Sequence, residues 1–388
     1  MGFFICESIK SSGDSNAKTF LYGLMKKIRV YTENHAPERF WLNHLVHPVR
    51  AFWGDGTDDW PKWEKDFLFY KDYFEITSDI NESDIGFLPL TLNYYIKNNL
   101  LSQVDELGSI LENKKKKLIV WIDGDHPVRY NNSNCIFIRY FGQKSENKQN
   151  EFIQPGDMAE DLLNEFFQGE LQVRDKSDKP IIGFDGIANY PTLKLAGTIL
   201  KNSVHNFFHS ILKTQFSPDP VIPYLIKRKE ILKKLSDQSE IITNFTIRDS
   251  FAPGTIGKNK NARVEYVNNI INSDFTLCYR GAANYSLRLY ETLCLGRIPL
   301  FINTNCVLPF ENQIPWNEIC LWIEENEIDS MNEKILDFYQ SMSAKEFKDK
   351  QIQCRQIWEN YCTKNGFITH FYKSLIKSNY MKNVRVSV

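Results

Sequence analysis

The sequence lacks the marks of several large classes of protein. It contains no apolar run of about eighteen residues, the length that a transmembrane helix needs. Its 47 basic and 48 acidic residues nearly cancel, so it lacks the basic excess typical of a nucleic-acid partner. It also has no G-x-x-x-x-G-K-[ST] phosphate loop, no H-E-x-x-H zinc helix and no G-x-S-x-G elbow. These absences exclude the commonest NTPase, metalloprotease and hydrolase sites.

Disulfide, zinc and targeting signals are missing as well. The eight cysteines form no C-x-x-C pair, and several, such as Cys278 and Cys294, fall within apolar segments, so we interpret them as reduced core residues. The first sixteen residues have neither a basic start nor a sustained apolar stretch, which predicts no secretory signal. Cys6 stands where myristoylation needs Ser or Thr. We therefore expect a cytoplasmic enzyme, encoded by a bacterium or a virus.

What the chain does have is length and apolar content. Its 388 residues, 42% hydrophobic and 24% charged, indicate a globular protein of two domains. Short apolar runs that alternate with helical patterns predict an α/β fold with parallel sheets. We expect a first domain over residues 1–175, a second over 176–345 and C-terminal helices over 346–388. The predicted strands cover residues 27–31, 83–90, 117–122, 135–140, 179–186, 240–246 and 298–302. Helices are predicted over 94–107 and from 154–157, and an edge loop over 248–257.

The most informative segment runs from residue 273 to residue 324. An apolar run at 275–279 predicts a buried strand, and Arg280 and Gly281 begin a turn of small residues. Ser286 is a suitable N-cap for the helix that follows. A strand–turn–helix unit places free backbone N–H groups and the positive end of a helix dipole at the carboxyl edge of a sheet. The segment therefore predicts a phosphate or diphosphate site.

Two charged residues on that predicted helix point to the same ligand. Arg288 and Glu291 are three positions apart, so they lie on the same side of the helix. An arginine near a helix N-terminus suits a diphosphate, and a glutamate one turn later suits the two hydroxyls of a ribose. The same spacing also fits an ordinary salt bridge between the two side chains.

The motifs of this segment resemble the C-terminal part of exostosin-like glycosyltransferases, family 47 and its relatives. The resemblance depends on a set of spaced residues rather than on any one motif. The matching residues are Ser273, Phe275, Leu277, Gly281, Ser286, Arg288, Glu291, Gly296, Ile298, Pro299, Leu308, Pro309, Phe310, Trp316 and Glu324. Eukaryotic exostosins are typically Golgi proteins with an N-terminal membrane helix, and this chain differs from them there.

The resemblance implies a GT-B fold, in which two Rossmann-like domains face a cleft and the C-terminal helices cross back to the first domain. It implies a glycosyltransferase that moves a hexosyl or pentosyl group from a nucleotide-diphosphate sugar, with UDP as the expected nucleotide, to a glycan hydroxyl. Arg288 would contact the diphosphate and Glu291 the ribose, with Ser286, Arg280 and Gly281 beside them. Inversion at the anomeric carbon and independence of any metal or cofactor follow from the family alone.

Such a reaction needs a base in the first domain that deprotonates the acceptor hydroxyl. Asp123, Asp125 and His126 follow the predicted strand at 117–122, and exostosin-like proteins often carry a related aspartate–histidine motif there. We assign the base to Asp125 or His126. The acidic loop at 53–59 offers other candidates, and the Asp123–Asp125 segment is also compatible with a simple turn.

Two other functions stay open. The D-x-D pattern of Asp123 and Asp125 resembles the divalent-metal site of GT-A glycosyltransferases. Alternatively, the chain could bind a nucleotide or glycan without catalysis, as the partner of an active transferase. The lysine run at 114–117 and the basic tail at 373–385 indicate solvated faces or contact with an anionic glycan or membrane surface.

Overall fold

The computed structural model describes residues 27–33, 46–53, 60–124, 128, 130–144, 150–156, 161–212, 220–248 and 261–378. These residues form two parallel α/β layers, one in each half of the chain. Asp125, His126, the acidic residues at 55–59 and most of the loop at 248–257 lie outside the described residues. None of the helices in the described ranges is long and apolar enough to cross a bilayer.

The first half is built on a sheet of six parallel strands. Their spatial order is β2-β1-β3-β4-β5-β6, so β2 lies on one side of β1 and the later strands follow one another on the other side. The strands are β1 (Ile28–Tyr31), β2 (Phe74–Thr77), β3 (Ile85–Phe87), β4 (Leu118–Ile122), β5 (Cys135–Arg139) and β6 (Glu151–Ile153). The helices are α1 (His47–Trp53), α2 (Trp60–Tyr70), α3 (Leu92–Lys97), α4 (Leu101–Asn113) and α5 (Leu162–Phe167).

The second half repeats this plan with five parallel strands. Their order is β11-β10-β9-β7-β8, and β7 and β8 pair along seven residues. The strands are β7 (Ile181–Ile187), β8 (Ile242–Arg248), β9 (Phe275–Cys278), β10 (Ile298–Asn303) and β11 (Leu321–Glu324). The boundary that the sequence predicts near residue 175 falls between α5 and β7.

Most helices of the second half follow the strands, and three continue beyond the sheet. They are α6 (Thr192–Leu212), α7 (Tyr224–Ser236), α8 (Ala262–Ile271), α9 (Leu287–Cys294), α10 (Trp316–Ile319), α11 (Met331–Ser341), α12 (Ala344–Ile357) and α13 (Lys364–Lys377). A 3₁₀ helix (Glu325–Ser330) precedes α11, and a π-helical turn (Trp358–Cys362) joins α12 to α13.

The central strands show why these segments form parallel sheets. Every residue of β4 and β10 is buried, so neither strand alternates between apolar and polar side chains. A parallel strand covered by helices on both faces has this continuous apolar character. β8 differs, because it lies at the edge of its sheet and its residues are exposed or half-buried.

Buried polar residues lock the second sheet to its helices. The Ser273 hydroxyl is fully buried and donates to the Asn269 carbonyl at 2.7 Å. Its oxygen would lie 2.3 Å from a Cβ atom at Gly183, so only glycine fits at that point of β7. The next residue, Asp274, accepts from the Ile181 backbone N–H and from Arg174 Nε, each at 2.9 Å. These contacts join the start of β9 to β7 and to the segment that precedes β7.

The C-terminal helix contacts the first half of the molecule. The Tyr73 hydroxyl lies 2.7 Å from Thr369 Oγ1, and Lys364 Nζ lies 2.5 Å from Asp66 Oδ1. The Phe152 ring on β6 meets the Phe371 ring edge-on at a centroid distance of 5.0 Å. The predicted fold class is therefore confirmed, including the return of the C-terminal helices to the first domain.

The two sheets meet through the loops at the carboxyl ends of their strands. After β5, the Gly142 carbonyl accepts from the Val307 N–H at 3.1 Å, and the Lys144 N–H donates to the Asn305 carbonyl at 2.9 Å. Val307 and Asn305 follow β10, so each half contributes the carboxyl-end loop of one strand. The carboxyl edges of both sheets consequently face the same space between the halves.

Two local predictions need correction. The helical pattern at 94–107 is not one helix, because the chain breaks between α3 and α4, where Asn99 adopts a left-handed conformation with φ of 57°. Of the helix start that we expected at 154–157, Gln154, Pro155 and Gly156 are not helical and Asp157 lies outside the described residues. The next described helix, α5, begins at Leu162, and its N-cap Asp161 accepts from the N–H groups of Leu163 and Asn164.

Candidate functional site

The candidate site lies at the carboxyl ends of β7 and β9. In chain order, the second sheet has the arrangement 2-1-3-4-5, so its first and third strands are β7 and β9. The chain leaves these two neighbours in opposite directions, and the resulting crevice is where open α/β sheets bind ligands. The segment predicted to bind a phosphate, the turn after β9 and the start of α9, lies at this crevice.

The turn after β9 is held by its own backbone. The Gly281 N–H donates to the Tyr285 carbonyl at 3.0 Å, and Arg280 Nη2 donates to the Ala282 carbonyl at 3.0 Å. Ser286 occupies the N-cap position of α9, as predicted, but its hydroxyl makes no capping hydrogen bond. The first N–H groups of α9 are therefore not satisfied by the Ser286 side chain, and the positive end of the helix dipole is left available to an anion.

Arg288 lies at the centre of the crevice. Its Nη2 donates to the Asp185 carbonyl at 2.8 Å, near the end of β7. Its guanidinium lies over the ring of Phe184, 4.6 Å from the centroid, and 5.8 Å from the centroid of Tyr266. Arg288 makes no ion pair with Glu291 within the described part of the chain, so the salt bridge between them that the sequence allowed does not form.

The absence of a side chain at Gly186 leaves space for the Arg288 guanidinium. A Cβ atom at Gly186 would lie 2.9 Å from Arg288 Nη2, which is shorter than the distances that Cβ atoms keep from other heavy atoms in proteins. A larger residue at this position would displace the guanidinium from the end of β7. Gly186, which lies inside β7, thus leaves space for an arginine of another element.

Arg228 on α7 lies on the other side of the same crevice, and the sequence analysis missed it. Its Nη1 donates to the Ile187 carbonyl at 2.9 Å, and its Nη2 donates to the Arg280 carbonyl at 2.7 Å. Its guanidinium lies 5.6 Å from the Phe184 centroid. The only sequence signal was its phase, because Arg228 shares the buried face of α7 with Ile231 and Leu235.

The two arginines form a cationic pair around one phenylalanine ring. Burial, and then the charge of Arg288, lower the pKa of Arg228 to about 10. Within the described residues, neither guanidinium has a carboxylate in ion-pair range, and the buried Nε of each lacks a hydrogen-bond partner. A buried charge without a counter-charge is costly. An anionic ligand would remove that cost at this position.

Glu291 is oriented by two side chains of α8. Its Oε1 accepts from Arg263 Nη1 at 2.8 Å, and its Oε2 accepts from the Tyr266 hydroxyl. Burial, and then the charge of Glu291, raise the pKa of Tyr266 well above its ordinary value, so the phenol stays protonated and donates. Because Tyr266 also faces Arg288, both predicted residues of α9 lie on the same side of the helix. Each carboxylate oxygen keeps capacity for a further hydrogen bond.

A second ion pair supports the end of β7. The buried Asp185 receives two hydrogen bonds from Arg248 on the edge strand β8. The hydrogen bonds that Arg248 donates to Asp185, together with the charge of that carboxylate, raise the pKa of Arg248 above its ordinary value, although burial acts in the opposite direction. Arg248 is thereby neutralised, unlike Arg288 and Arg228. Two guanidiniums at the crevice between β7 and β9, those of Arg288 and Arg228, thus stay without a carboxylate partner among the described residues.

The carboxyl edge of the first sheet carries acidic and amide groups instead. Asp123, directly after β4, accepts from the Thr91 hydroxyl at 3.0 Å, and its N–H donates to Asn93 Oδ1 at 3.0 Å. Gly124 follows with φ of 81°, the backbone of a tight turn. In the described parts of the chain, no group of three or more His, Cys, Asp or Glu residues is arranged to hold a metal. Asp125 and His126 lie outside those residues, so their assignment as base stays a prediction.

Known proteins resemble parts of this chain. Exostosin-1 of Drosophila melanogaster is 31% identical over 99 residues, which cover 26% of this chain and 12% of the fly protein. A probable glucuronosyltransferase of Oryza sativa subsp. japonica is 41% identical over 58 residues, 15% of this chain and 14% of the rice protein. The aligned segments are thus a small part of either relative. MurG of Acinetobacter baumannii matches 91% of this chain at a TM-score of 0.30 and 9% identity, a likeness too low for any argument.

The match to a family is far more extensive. The family model of the exostosin GT47 domain matches residues 25–338, from just before β1 to the middle of α11. This range contains both sheets, the crevice between β7 and β9, and the residues that first suggested the resemblance. The chain therefore belongs to the exostosin GT47 family, and its two parallel sheets with returning C-terminal helices agree with the GT-B fold that the resemblance implies.

Proposed function

We propose that the protein transfers a sugar from a nucleotide-diphosphate sugar to a hydroxyl of a glycan, with UDP as the nucleotide and a surface or capsular glycan as the product. The observation that carries the proposal is the cationic pair of Arg288 and Arg228 at the crevice between β7 and β9. Both guanidiniums lie against Phe184 without a carboxylate partner among the described residues. A diphosphate supplies the missing negative charge.

The diphosphate would be bound from two directions. Arg288 and Arg228 face it from α9 and α7. The first turn of α9 adds backbone N–H groups that the Ser286 side chain does not cap. Arg280 and Gly281 shape the turn beside it. Arginine suits this role because its planar fork pairs with two oxygens of a phosphate at once. Charge that develops on the departing nucleotide diphosphate would be stabilised by these groups, without a metal ion.

Glu291 would accept hydrogen bonds from the two hydroxyls of the ribose. Arg263 and Tyr266 fix the orientation of its carboxylate before any ligand arrives. An acceptor held in place in advance loses little conformational entropy on binding. This role differs from that of Arg288, because Glu291 would select the ribose and Arg288 the phosphates.

The chemical step forms one bond and breaks another. The acceptor oxygen bonds to the anomeric carbon of the sugar, and the bond from that carbon to the phosphate oxygen breaks. The hydroxyl proton passes to a base of the first domain, for which we propose Asp125 or His126. The nucleotide diphosphate leaves with its negative charge against Arg288 and Arg228. Attack from the face opposite the leaving group inverts the anomeric carbon.

Isothermal titration calorimetry of UDP, GDP, CDP and dTDP, with and without EDTA, tests the proposal. We expect one nucleotide to bind and its affinity to survive EDTA, because the proposed contacts involve no metal. Binding that disappears with EDTA and in Asp123→Asn would contradict the proposal and favour the GT-A alternative. Failure of all four nucleotides to bind would contradict a nucleotide-sugar site at this crevice.

Turnover separates a transferase from a binding partner that lacks catalysis. UDP-glucuronic acid is the first donor to test, because the rice relative is named a probable glucuronosyltransferase. We expect the nucleotide that binds to be released from its sugar conjugate when glycan acceptors are added. Tight binding with no release across a panel of donors and acceptors would favour the non-catalytic alternative.

A further inference from the structure

Helix α6 exposes a stripe of large apolar side chains. Six of them are between 45% and 67% exposed to solvent, which is unusual for residues of this size on one helix. The six residues are Leu200, Val204, Phe207, Phe208, Ile211 and Leu212. We call this set the α6 stripe.

The α6 stripe is continuous because of its spacing. Its members follow one another at intervals of four, three, one, three and one residues, so at about 100° per residue they cover a single arc of about 140°. His209 is 4% exposed and lies on the opposite side of the helix. Helix α6 therefore packs on the protein through its polar side and turns its apolar side outward.

The segment before α7 also exposes apolar side chains. Asn202 Nδ2 of α6 donates to the Pro220 carbonyl at 2.9 Å, which holds the segment before α7 against the helix. The next two residues, Val221 and Ile222, are 42% and 45% exposed. Because Asn202 lies on the polar side of α6, this segment is a separate exposed apolar site beside the helix, and Leu68 and Ile352 are exposed apolar residues elsewhere in the chain.

The charge of α6 identifies what this surface fits. The helix has no acidic residue over its 21 positions, but carries Lys194 and Lys201. Both lysines are exposed and lie at one margin of the apolar arc. An apolar face bordered by lysines is typical of helices that lie in the interface of an anionic membrane. Such lysines reach lipid phosphates while the apolar side chains enter the acyl region.

We propose that α6 docks the protein flat on the surface of an anionic lipid bilayer, with the α6 stripe inserted below the headgroups. The helix does not span the bilayer, because Asn202, His205 and Asn206 interrupt its apolar character on the other side. α6 follows directly from β7, whose carboxyl end carries the arginine crevice. Docking would therefore bring that crevice close to the membrane, whatever ligand the crevice binds.

The lysine run at 114–117, an earlier candidate for membrane contact, is engaged elsewhere. Lys114 Nζ donates to Asn81 Oδ1 at 2.6 Å, and Lys117 Nζ donates to the Ser133 carbonyl at 3.0 Å. Lys116 Nζ donates to the carbonyls of Ile80 and Asn81. These lysines hold turns of the first half together, so the run provides a control of similar charge without an apolar stripe.

Flotation of the full chain with lipid vesicles tests the proposal. We expect the protein to float with vesicles of phosphatidylcholine and phosphatidylglycerol, and to float much less with phosphatidylcholine alone. Phe207→Ser/Ile211→Ser should lower vesicle partitioning about tenfold or more, since each change removes a large inserted side chain. Leu68→Ser/Ile352→Ser is the matched control and should partition like the unmodified protein.

The second part of the experiment reverses the charge of the lysines on α6. Lys194→Glu/Lys201→Glu should weaken partitioning to the anionic vesicles, whereas Lys114→Glu/Lys115→Glu should leave it unchanged. Circular dichroism confirms that each variant is folded. Equal binding to neutral and anionic vesicles would overturn the proposal, as would failure to float in both. A dimer in solution that the Phe207→Ser/Ile211→Ser variant dissociates would also overturn it, because a second copy would then cover the stripe.

Discussion

The two sheets have the same strand order around their first strands, but the side chains at their carboxyl edges carry opposite charge. In each sheet the chain leaves the first and third strands on opposite sides, β1 and β3 in one and β7 and β9 in the other. The first edge presents Asp123 with Thr91 and Asn93, whereas the second presents Arg288 and Arg228. Topology therefore determines where a ligand can bind, and the side chains at the strand ends determine its charge.

The sharpest test of this contrast removes one arginine from each half of the molecule. Arg288→Ala should abolish measurable nucleotide binding and lower the rate of sugar transfer about 100-fold or more, because it removes a charge-assisted contact to the leaving group. Arg29→Ala removes an exposed arginine from β1 and should change neither quantity. Calorimetry and a transfer assay measure both variants.

The fold must survive for that result to be informative. Thermal unfolding should be nearly the same in Arg288→Ala and in the unmodified protein, because the Arg288 side chain donates a single hydrogen bond, to the Asp185 carbonyl, among the described residues. If Arg288→Ala unfolds, Arg288 has a structural role and the contrast between the two edges loses its functional meaning.

The second test asks whether Arg228 contributes charge or only structure. Arg228→Gln keeps hydrogen-bond donors for the surrounding carbonyls but removes the positive charge. We expect nucleotide affinity to fall about tenfold at low salt. The difference from the unmodified protein should shrink as ionic strength rises, because salt screens the lost attraction. Affinity that is unchanged at every salt concentration would limit Arg228 to holding the loops after β7 and β9.

A third test breaks a connection between the two halves. Arg355 on α12 forms two hydrogen bonds of 2.9 Å with Asp161, the N-cap of α5, and a third with the Cys294 carbonyl of α9. Arg355→Ala should lower the free energy of unfolding by about 2–3 kcal/mol, because several charge-assisted bonds are lost together. Urea denaturation measures the change.

An exposed ion pair is the control for that loss. Lys348 pairs with Asp175, whose side chain is 88% exposed. Lys348→Ala should alter the free energy of unfolding by less than about 0.5 kcal/mol, as is usual for surface pairs. A loss in Lys348→Ala as large as that in Arg355→Ala would show that the Arg355 contacts are not special.

The smallest expected effect concerns pH. Burial, and then the charges of Lys373 and Lys377, lower the pKa of His370 below its ordinary value of 6.5. The unfolded chain therefore binds a proton at a higher pH than the folded chain does, and stability should fall as pH decreases below about 6.5. His370→Gln should remove this part of the pH dependence, since Gln has no titratable group. Equal slopes of unfolding free energy against pH in the two proteins would contradict the prediction.

Sequence patterns located part of the candidate site because of local geometry. Ser286, Arg288 and Glu291 share one short helix, so the period of that helix alone places the last two on the same side. Arg228 belongs to a helix with four lysines, and only its phase, on the apolar face with Ile231 and Leu235, separates it from them. Its role depends on the approach of α7 to the loop after β9, a tertiary contact that one sequence does not reveal.

The same limit applies to the fold. The fully buried strands β4, β9 and β10 were predicted from continuous apolar runs, with ends that agree within one residue. β2 and β6 were not predicted, because they are short edge strands whose pairing comes from the neighbouring strand rather than from their own composition. The apolar side of α6 also carries no sign in the sequence of whether it faces the core or the solvent.

The contact between the loops after β5 and β10 has a mechanical consequence. Backbone hydrogen bonds link Gly142 to Val307 and Lys144 to Asn305, and the Phe141 ring stacks on the Tyr285 ring at a centroid distance of 5.7 Å. Together with the α13 contacts to the first half and the Arg355–Asp161 pair, they restrain the halves at three separate places. Any opening of the cleft must therefore pivot at these attachments or break at least one of them.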